Sequence, residues 1–372
     1  MHDEREELRR VVRDFLDQHS PEAAVRELME TGSGLDRRVW SRAAAELGVA
    51  GLLVPEQFGG AGAGMAELGV VFEEAGRALW CSPLLSTCGL ASCVLLHASG
   101  AGVHRELLPG IADGSTVAAL AWNGVRPEPG SLRARRPGGR WVIDGSSGYV
   151  VDGATADLLL VCAAIEDGVG LFRVDPADAM VRPRTTLDST RRLAEVTFAA
   201  APAEPISADA GDGLDRALAC AFDCAELLLA AEQLGGATRA LEMAVEYAKA
   251  RIQFGRPIGS FQAVKHKLAE MLMAVELAKA CVRHAFDTAD HAPERLPLAV
   301  SQARAVVGDG YPRVAADSIQ VHGGLGFTWE HPAHLYLKRA KSSQLLFGSP
   351  KWHRARIGDL LGIPVPALVA AR

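Results

Sequence analysis

Tyr247-Ala248-Lys249-Ala250-Arg251-Ile252-Gln253-Phe254-Gly255-Arg256-Pro257-Ile258-Gly259-Ser260-Phe261-Gln262-Ala263-Val264-Lys265-His266-Lys267-Leu268-Ala269-Glu270-Met271 is the stretch that decides the fold. Its chemistry predicts the end of one helix, a tight turn and the start of another. Gly255 stands where a helix C-cap wants a residue without Cβ. Pro257 cannot continue a helix, and Ser260 can N-cap the next one. Phe261, Val264, Leu268, Met271 and Leu272 then follow at helical spacing on one apolar face. The turn presents Arg251, Gln253 and Gln262 near one another, and a guanidinium fork beside amides suits a diphosphate and its flanking hydroxyls. On spacing alone, a helical hairpin with a surface arginine is the simpler explanation.

The literal string resembles the Arg-x-Gln-Phe-Gly-x-Pro-Ile-x-x-Phe-Gln signature of the acyl-CoA dehydrogenase family. In that family the arginine reaches the pyrophosphate of an FAD bound mainly by a neighbouring subunit. The resemblance implies that role for Arg251, with Gln253, Phe254 and Gln262 beside the same cofactor. A second, separate motif agrees. Leu47-Gly48 through Val54-Pro55-Glu56 to Gly59-Gly60-Ala61-Gly62 is rich in turn signals and resembles the family's N-terminal Leu-Gly … Val-Pro-Glu … Gly-Gly-x-Gly loop.

A chain of 372 residues is long enough for two or three domains. With 49% hydrophobic and 23% charged residues it can bury a sizeable core, and long disorder is not indicated. A net charge of −6 argues against a nucleic-acid partner. The seven cysteines, at 81, 88, 93, 162, 220, 224 and 281, are odd in number and form no CxxC pair. That argues against a disulfide framework or a zinc site, so no metal is expected. Cys220 and Cys224 share a helix face and read as small buried residues. A reducing, cytoplasmic location fits this usage. Residues 1–20 are charged throughout, so no signal peptide is expected. No apolar run reaches transmembrane length, so no membrane partner is expected either.

Along the chain, helices are predicted over 3–31, 36–47 (ending at Gly48), 64–81, 84–99 and 102–112, giving an N-terminal helical domain over 1–114. Short β-type runs follow at Val117–Trp122, Leu132–Arg135, Arg140–Asp144, Tyr149–Val151, Leu158–Ala163, Gly170–Val174 and Leu193–Phe198. Turns such as Pro137-Gly138-Gly139 and Asp144-Gly145 separate them. Residues 115–205 are therefore expected to form a small antiparallel barrel or sandwich. Arg133, Arg135, Arg136 and Arg140 cluster on one hairpin, where a solvated strand edge is favoured over contact with CoA phosphates. Residues 203–213 read as a linker. Helices return over 214–250, 261–287, 297–322 and 333–361 within a C-terminal domain, 206–372. Gly308, Gly310 and Pro312 predict a kink in the third of these. The order is α, β, α, an α+β multidomain chain. There is no βαβ alternation and no GxGxxG, so a Rossmann site is not indicated. The family resemblance makes the last domain a four-helix bundle.

Ile319-Gln320-Val321-His322-Gly323-Gly324-Leu325-Gly326-Phe327-Thr328 closes a helix with three glycines in four positions, which lets backbone N–H groups approach a ligand. It resembles the family's Gln-x-x-Gly-Gly-x-Gly-Phe loop, implying FAD contacts from Gln320, Gly323 and Gly324. His322 is read as a packing or hydrogen-bonding residue. The family's reaction needs a carboxylate to take the proton α to a thioester carbonyl while hydride passes from the β carbon to flavin N5. In most members this Glu precedes a Gly, some fifteen residues after a Glu-x-Pro. Here Glu330-His331-Pro332 and Gly348 are in place, and the expected base position holds Phe347. Relatives with the base on the helix corresponding to 214–250 carry it near Ala225. Asp223 and Glu226 lie one or two residues away, and one residue is a rotation of about 100°.

The β domain departs too. The family's Thr-bearing flavin segment appears as Leu120-Ala121-Trp122-Asn123. A second such segment appears as Gly145-Ser146-Ser147-Gly148-Tyr149-Val150-Val151-Asp152. Tyr149 keeps an aromatic surface for a flavin, while Val151 replaces a hydroxyl donor. The half-site lent to a neighbour is thus intact and the half-site for the chain's own flavin is eroded. This pattern resembles the base-lacking partner in α2β2 acyl-CoA dehydrogenases of bacterial steroid and polyketide metabolism. It implies an FAD-dependent subunit acting on acyl-CoA or a related acyl thioester, with a paralogous base-carrying partner, and with electrons passing to an electron-transfer flavoprotein. The alternatives are a self-sufficient homo-oligomer using Glu226 or Asp223, a flavin monooxygenase on the same fold, and a structural subunit that never touches substrate.

Overall fold

Ser20-Pro21 cuts the first predicted helix in two. The computed structural model describes residues 2–98, 100–126, 131–166, 168–207 and 212–363. In it α1 (His2–His19) ends and α2 (Glu22–Glu30) begins around that proline, which lacks the N–H a continuing helix needs. α3 (Arg37–Leu47) starts on Asp36, whose carboxylate accepts from the N–H groups of Arg38 and Val39, and stops at left-handed Gly48. α4 (Met65–Ala78) follows the loop read from 47–62. The segment predicted as one helix over 84–99 is a fully buried π-helical turn, Leu84–Ala91, running into α5 (Ser92–Ala98). α6 (Ala101–Ala112) precedes the strands.

The chain divides into two compact units. The first contains Trp80–Leu228 together with residues up to Val71. Its sheet is built from β1 (Ala118–Ala121), β2 (Arg133–Arg135), β3 (Trp141–Val151), β4 (Leu158–Ile165), β5 (Gly168–Val174), β6 (Ala179–Pro183) and β7 (Leu193–Ser207). Pairings run β4-β2-β3-β7-β5 and return from β5 to β4, so these five strands close on themselves; β1 adds to β4 and β6 to β7. Closure leaves a dry interior of Ala119, Ile143, Val150, Leu159, Phe172, Val196 and neighbouring side chains.

Four details differ from expectation. β1 pairs with β4 in parallel, so the sheet is mixed rather than wholly antiparallel. The runs at 140–144 and 149–151 are one strand, because Asp144-Gly145 is a bulge and not a turn: Gly145 has φ 115 and its α-carbon faces the carbonyl of Ser131. β6 is an unexpected short strand: Ala179 and Val181 turn inward and Met180 and Arg182 outward, but the apolar Met180 hides this alternation in the sequence. The expected linker falls partly on β7, which runs to Ser207, and partly on α7 (Asp212–Ala250); residues 208–211 lie outside the described residues.

The second unit contains Phe72–Leu79 and residues from Leu229 onward. Its elements are the last part of α4, the latter half of α7, the hairpin β8 (Ile252–Gln253) and β9 (Arg256–Pro257), α8 (Gln262–His291), α9 (Leu296–His322), the single turn α10 (Gly324–Phe327), α11 (Ala333–Leu345) and α12 (Pro350–Leu360). α9 is the centre, with α8, α11 and α12 packed on it. It is one continuous helix through Pro312. Gly308 serves packing: a Cβ there would meet Pro350 at 2.8 Å. Gly76 and Gly235 let α4 and α7 cross with backbones in contact, since a Cβ on either would lie within 2.0 Å of the other helix's carbonyl oxygen.

Candidate functional site

The decisive stretch folds differently in detail from its prediction. α7 ends at Ala250 and Arg251 follows directly. Ile252 and Gln253 pair with Pro257 and Arg256 across a two-residue turn in which Phe254 (φ 56) and Gly255 (φ 76) are both left-handed. That is a type I′ geometry, so Gly255 is a hairpin glycine and not a helix C-cap. Ser260 is not the N-cap of α8; Phe261 holds that place and makes no side-chain cap. A 3-10 turn over Ile258–Ser260 leads into Phe261. Gly259 lies against the carbonyl of Ala248, pinning the hairpin to the end of α7.

The hairpin holds its functional side chains outward. Arg251, Gln253 and Gln262 are exposed, and Phe254 is 91% exposed. Arg256 stacks over Phe261 at 4.2 Å from the ring centroid, which stiffens the turn. In the second loop α9 ends at His322, and Gly323 adopts φ 62, ψ −139, a conformation open only to glycine. Gly323 and Gly324 are exposed, and a Cβ on either would meet nothing within 4 Å. Gln320 is exposed on the last turn of α9. His322 by contrast is buried between Tyr247 and His331, with ring centroids at 4.6 and 4.0 Å. Its Nδ1 lies 2.7 Å from the carbonyl of Ser318, so that nitrogen carries the proton and donates. Burial lowers its pKa against the opposing pull of that hydrogen bond.

Phe347 is buried just beyond α11 with φ 59, followed by Gly348 at φ 103. The end of α11 is held by Arg304, itself buried in α9. Its guanidinium donates to the carbonyls of Ser343 (3.1 Å) and Leu346 (2.6 Å) and to the amide oxygen of Gln233.

In the first unit, Asp223 and Glu226 are 2% and 0% exposed. Both bind one cation: Nη2 of Arg126 lies 2.6 Å from Asp223 and 3.0 Å from Glu226, while its Nη1 donates to the carbonyl of Ala219 at 3.0 Å. Burial pulls the guanidinium pKa down, and the Glu226 and Asp223 carboxylates outweigh it and raise it. Both carboxylates are thus hydrogen-bonded to one buried guanidinium and not turned toward a substrate. Arg126 was missed from the sequence. It sits about a hundred residues from its partners in a turn-rich segment, and only the fold brings them together.

The strand segments expected to face a flavin have their polar groups engaged within the chain. Asn123 donates its amide to Ser131 (2.8 Å) and to the carbonyl of Ser146 (3.0 Å), and Ser147 donates to the carbonyl of Trp122 at 2.6 Å. Val151 is buried, and Tyr149 is exposed. The basic hairpin is solvated: Arg135 pairs with Asp144 at 2.8 Å, and Arg136 donates to Gly139. Among the described residues no helix is long and apolar enough to cross a membrane.

Comparison with known proteins matches residues 2–115 to the acyl-CoA dehydrogenase N-terminal domain and residues 211–361 to the acyl-CoA dehydrogenase C-terminal domain. Acyl-CoA dehydrogenase IpdE2 of Mycobacterium tuberculosis is 38% identical over 94% of both chains. Among solved structures, a Tcur3481-Tcur3483 steroid ACAD variant is 32% identical with a TM-score of 0.86, covering 97% of this chain and 98% of that one. The ChsE4-ChsE5 complex from Mycobacterium tuberculosis is 27% identical with a TM-score of 0.88, covering 98% of each.

Proposed function

The chain belongs to the acyl-CoA dehydrogenase family of oxidoreductases, and from that premise we propose that it is one subunit of a heteromeric, FAD-dependent acyl-CoA dehydrogenase whose paralogous partner carries the catalytic base. The substrate class is an acyl-CoA or related acyl thioester, desaturated between its α and β carbons, with an electron-transfer flavoprotein as acceptor. The observation that carries this is the state of the carboxylates. The usual base position is a buried Phe347, and both nearby substitutes, Asp223 and Glu226, are committed to Arg126. A homo-oligomer relying on either would have to break a buried ion pair before each proton transfer.

The residues on the second unit fit an FAD supplied by another subunit. Arg251 would meet the diphosphate, with Gln253, Phe254 and Gln262 beside it, and the open backbone at Gly323-Gly324 and Gln320 would receive the remaining polar groups. FAD, when bound, supplies the hydride acceptor. The strand segment of the first unit does not fit the flavin ring equally well: Asn123 is committed internally, Val151 has no donor, and only Tyr149 offers a surface. Exposed apolar side chains support assembly. Phe327 is 82% exposed, and Met273 and Leu277 border a groove of about 760 Å³ beside α8, α9 and α12. The heteromeric solved structures among the relatives point the same way.

The test is co-expression with a candidate base-bearing paralogue, quantifying protein and flavin by visible absorption. Little flavin on the chain alone, and stoichiometric flavin with thioester oxidation in the complex, is the expected result. Full flavin occupancy and turnover by the chain alone would overturn it. So would loss of the complex's turnover in Glu226→Gln with its flavin retained.

A further inference from the structure

Cys93 and His97 are four residues apart, and so are Cys220 and Cys224. Neither spacing matches the CxxC pattern of common zinc sites, and in sequence the two pairs lie far apart. On helices, a separation of four places both members of a pair on one face. α5 carries the first pair and the opening turns of α7 carry the second, both within the first compact unit. The fold brings them together: a ring nitrogen of His97 and the Sγ atoms of Cys220 and Cys224 all lie within 4.8 Å of one another. The Cys93 thiol, also on α5, donates to the carbonyl of Cys88 at 3.8 Å.

Two further observations separate this cluster from cysteines used as small apolar filler. First, Nδ1 of His97 lies 2.8 Å from the carbonyl oxygen of Cys93. A carbonyl only accepts, so Nδ1 bears the proton and Nε2 keeps its lone pair. A backbone carbonyl on the far ring nitrogen is the arrangement that orients metal-ligating histidines. Second, a cavity of about 270 Å³ lined by His97, Ala98, Leu214 and Ala217 opens beside the cluster and gives an ion a way in. Cys224 is buried and Cys220 half-buried, which favours a soft, thiolate-bound ion.

We propose that His97, Cys220 and Cys224 bind one zinc ion that ties α5 to the start of α7. Two thiolates and one imidazole would fill three of zinc's four tetrahedral positions, leaving the fourth to a water. Each coordinating thiol releases its proton to solvent on binding, and the neutral imidazole donates its lone pair; no electron is transferred.

The experiment uses the full chain, stripped with chelator under reducing conditions and titrated anaerobically with cobalt(II). The expected result is saturation at one ion per chain, with the thiolate charge-transfer and visible bands of tetrahedral cobalt, both erased by added zinc. His97→Gln and Cys220→Ser should each weaken binding by at least about tenfold. Absence of a saturable tetrahedral spectrum in the parent chain overturns the site, as does a spectrum unaltered in His97→Gln. Oxidation to a Cys220–Cys224 disulfide without any metal uptake would also overturn it and mark the cluster as a thiol pair instead.

Discussion

Two regions hold their polar groups in opposite ways. Around Arg251 and Gly323 the side chains and backbone point outward with space before them. Around Asp223 and Glu226 they are buried, and both carboxylates bind one guanidinium. The first region costs the isolated chain little and gains only when something is bound. The second binds both of its carboxylates to a partner within the chain. A protein that retained a full active site would show the reverse in the second region, with a carboxylate free to change protonation.

The hardest test of that contrast is Arg126→Met. Removing the cation leaves two carboxylates with side chains only 3% and 0% exposed, and breaking a buried pair from one side costs about 3–5 kcal/mol. A large fall in the urea midpoint of the first unit is expected. A negligible fall, with turnover gained, would return Glu226 or Asp223 to the role of base.

Next comes Arg251→Gln. Because the guanidinium is exposed, stability should stay within about 0.5 kcal/mol of the parent. Flavin affinity of the assembled enzyme should drop about tenfold to a hundredfold, the worth of a charge-assisted hydrogen bond. Equal flavin retention would show that the exposed face is not the lending face.

A smaller, mixed effect is expected of Gly323→Ala. Its backbone at φ 62, ψ −139 costs a residue with a Cβ about 1–3 kcal/mol. No side chain blocks the new methyl group, so the loss is conformational and not steric. Thermal unfolding should move down, and flavin retention with it. A shift in neither would mean that the loop relaxes freely and does not hold the approach to the ligand.

The legible part of this molecule is the part built from contiguous residues. The Arg251–Gln262 string, the Gly-Gly loop after α9 and the α, β, α order are local signals, and the fold keeps them. Local chemistry also misled: Gly255 and Ser260 look like caps, yet a six-residue hairpin intervenes, because a helix end and a type I′ turn both call for a left-handed glycine. Pro312 looks like a break and is carried inside a packed helix. What could not be read were partnerships across sequence distance. Arg126 with Glu226, Arg304 with the end of α11, and His97 with Cys220 are each separated by dozens of residues and carry no shared motif.

The smallest expected effect belongs to His322, which lies beside the open loop yet is buried. It faces Tyr247 on α7 and His331 beyond the loop, and its Nδ1–H is committed to Ser318. Burial holds its folded pKa below the ordinary histidine value of 6.5. Between those two values the unfolded chain binds a proton that the folded chain refuses, so stability rises with pH there and is lost as pH falls through about 6.5. Below the folded value both states are protonated and the loss stops growing. His322→Phe keeps a ring in the stack and removes the titration, so its unfolding midpoint should fall less between pH 7 and pH 5 than the parent's, after allowing for the lost hydrogen bond at every pH. Parallel slopes would mean that His322 takes up its proton as easily folded as unfolded. The ring would then belong with the open region and not with the buried one.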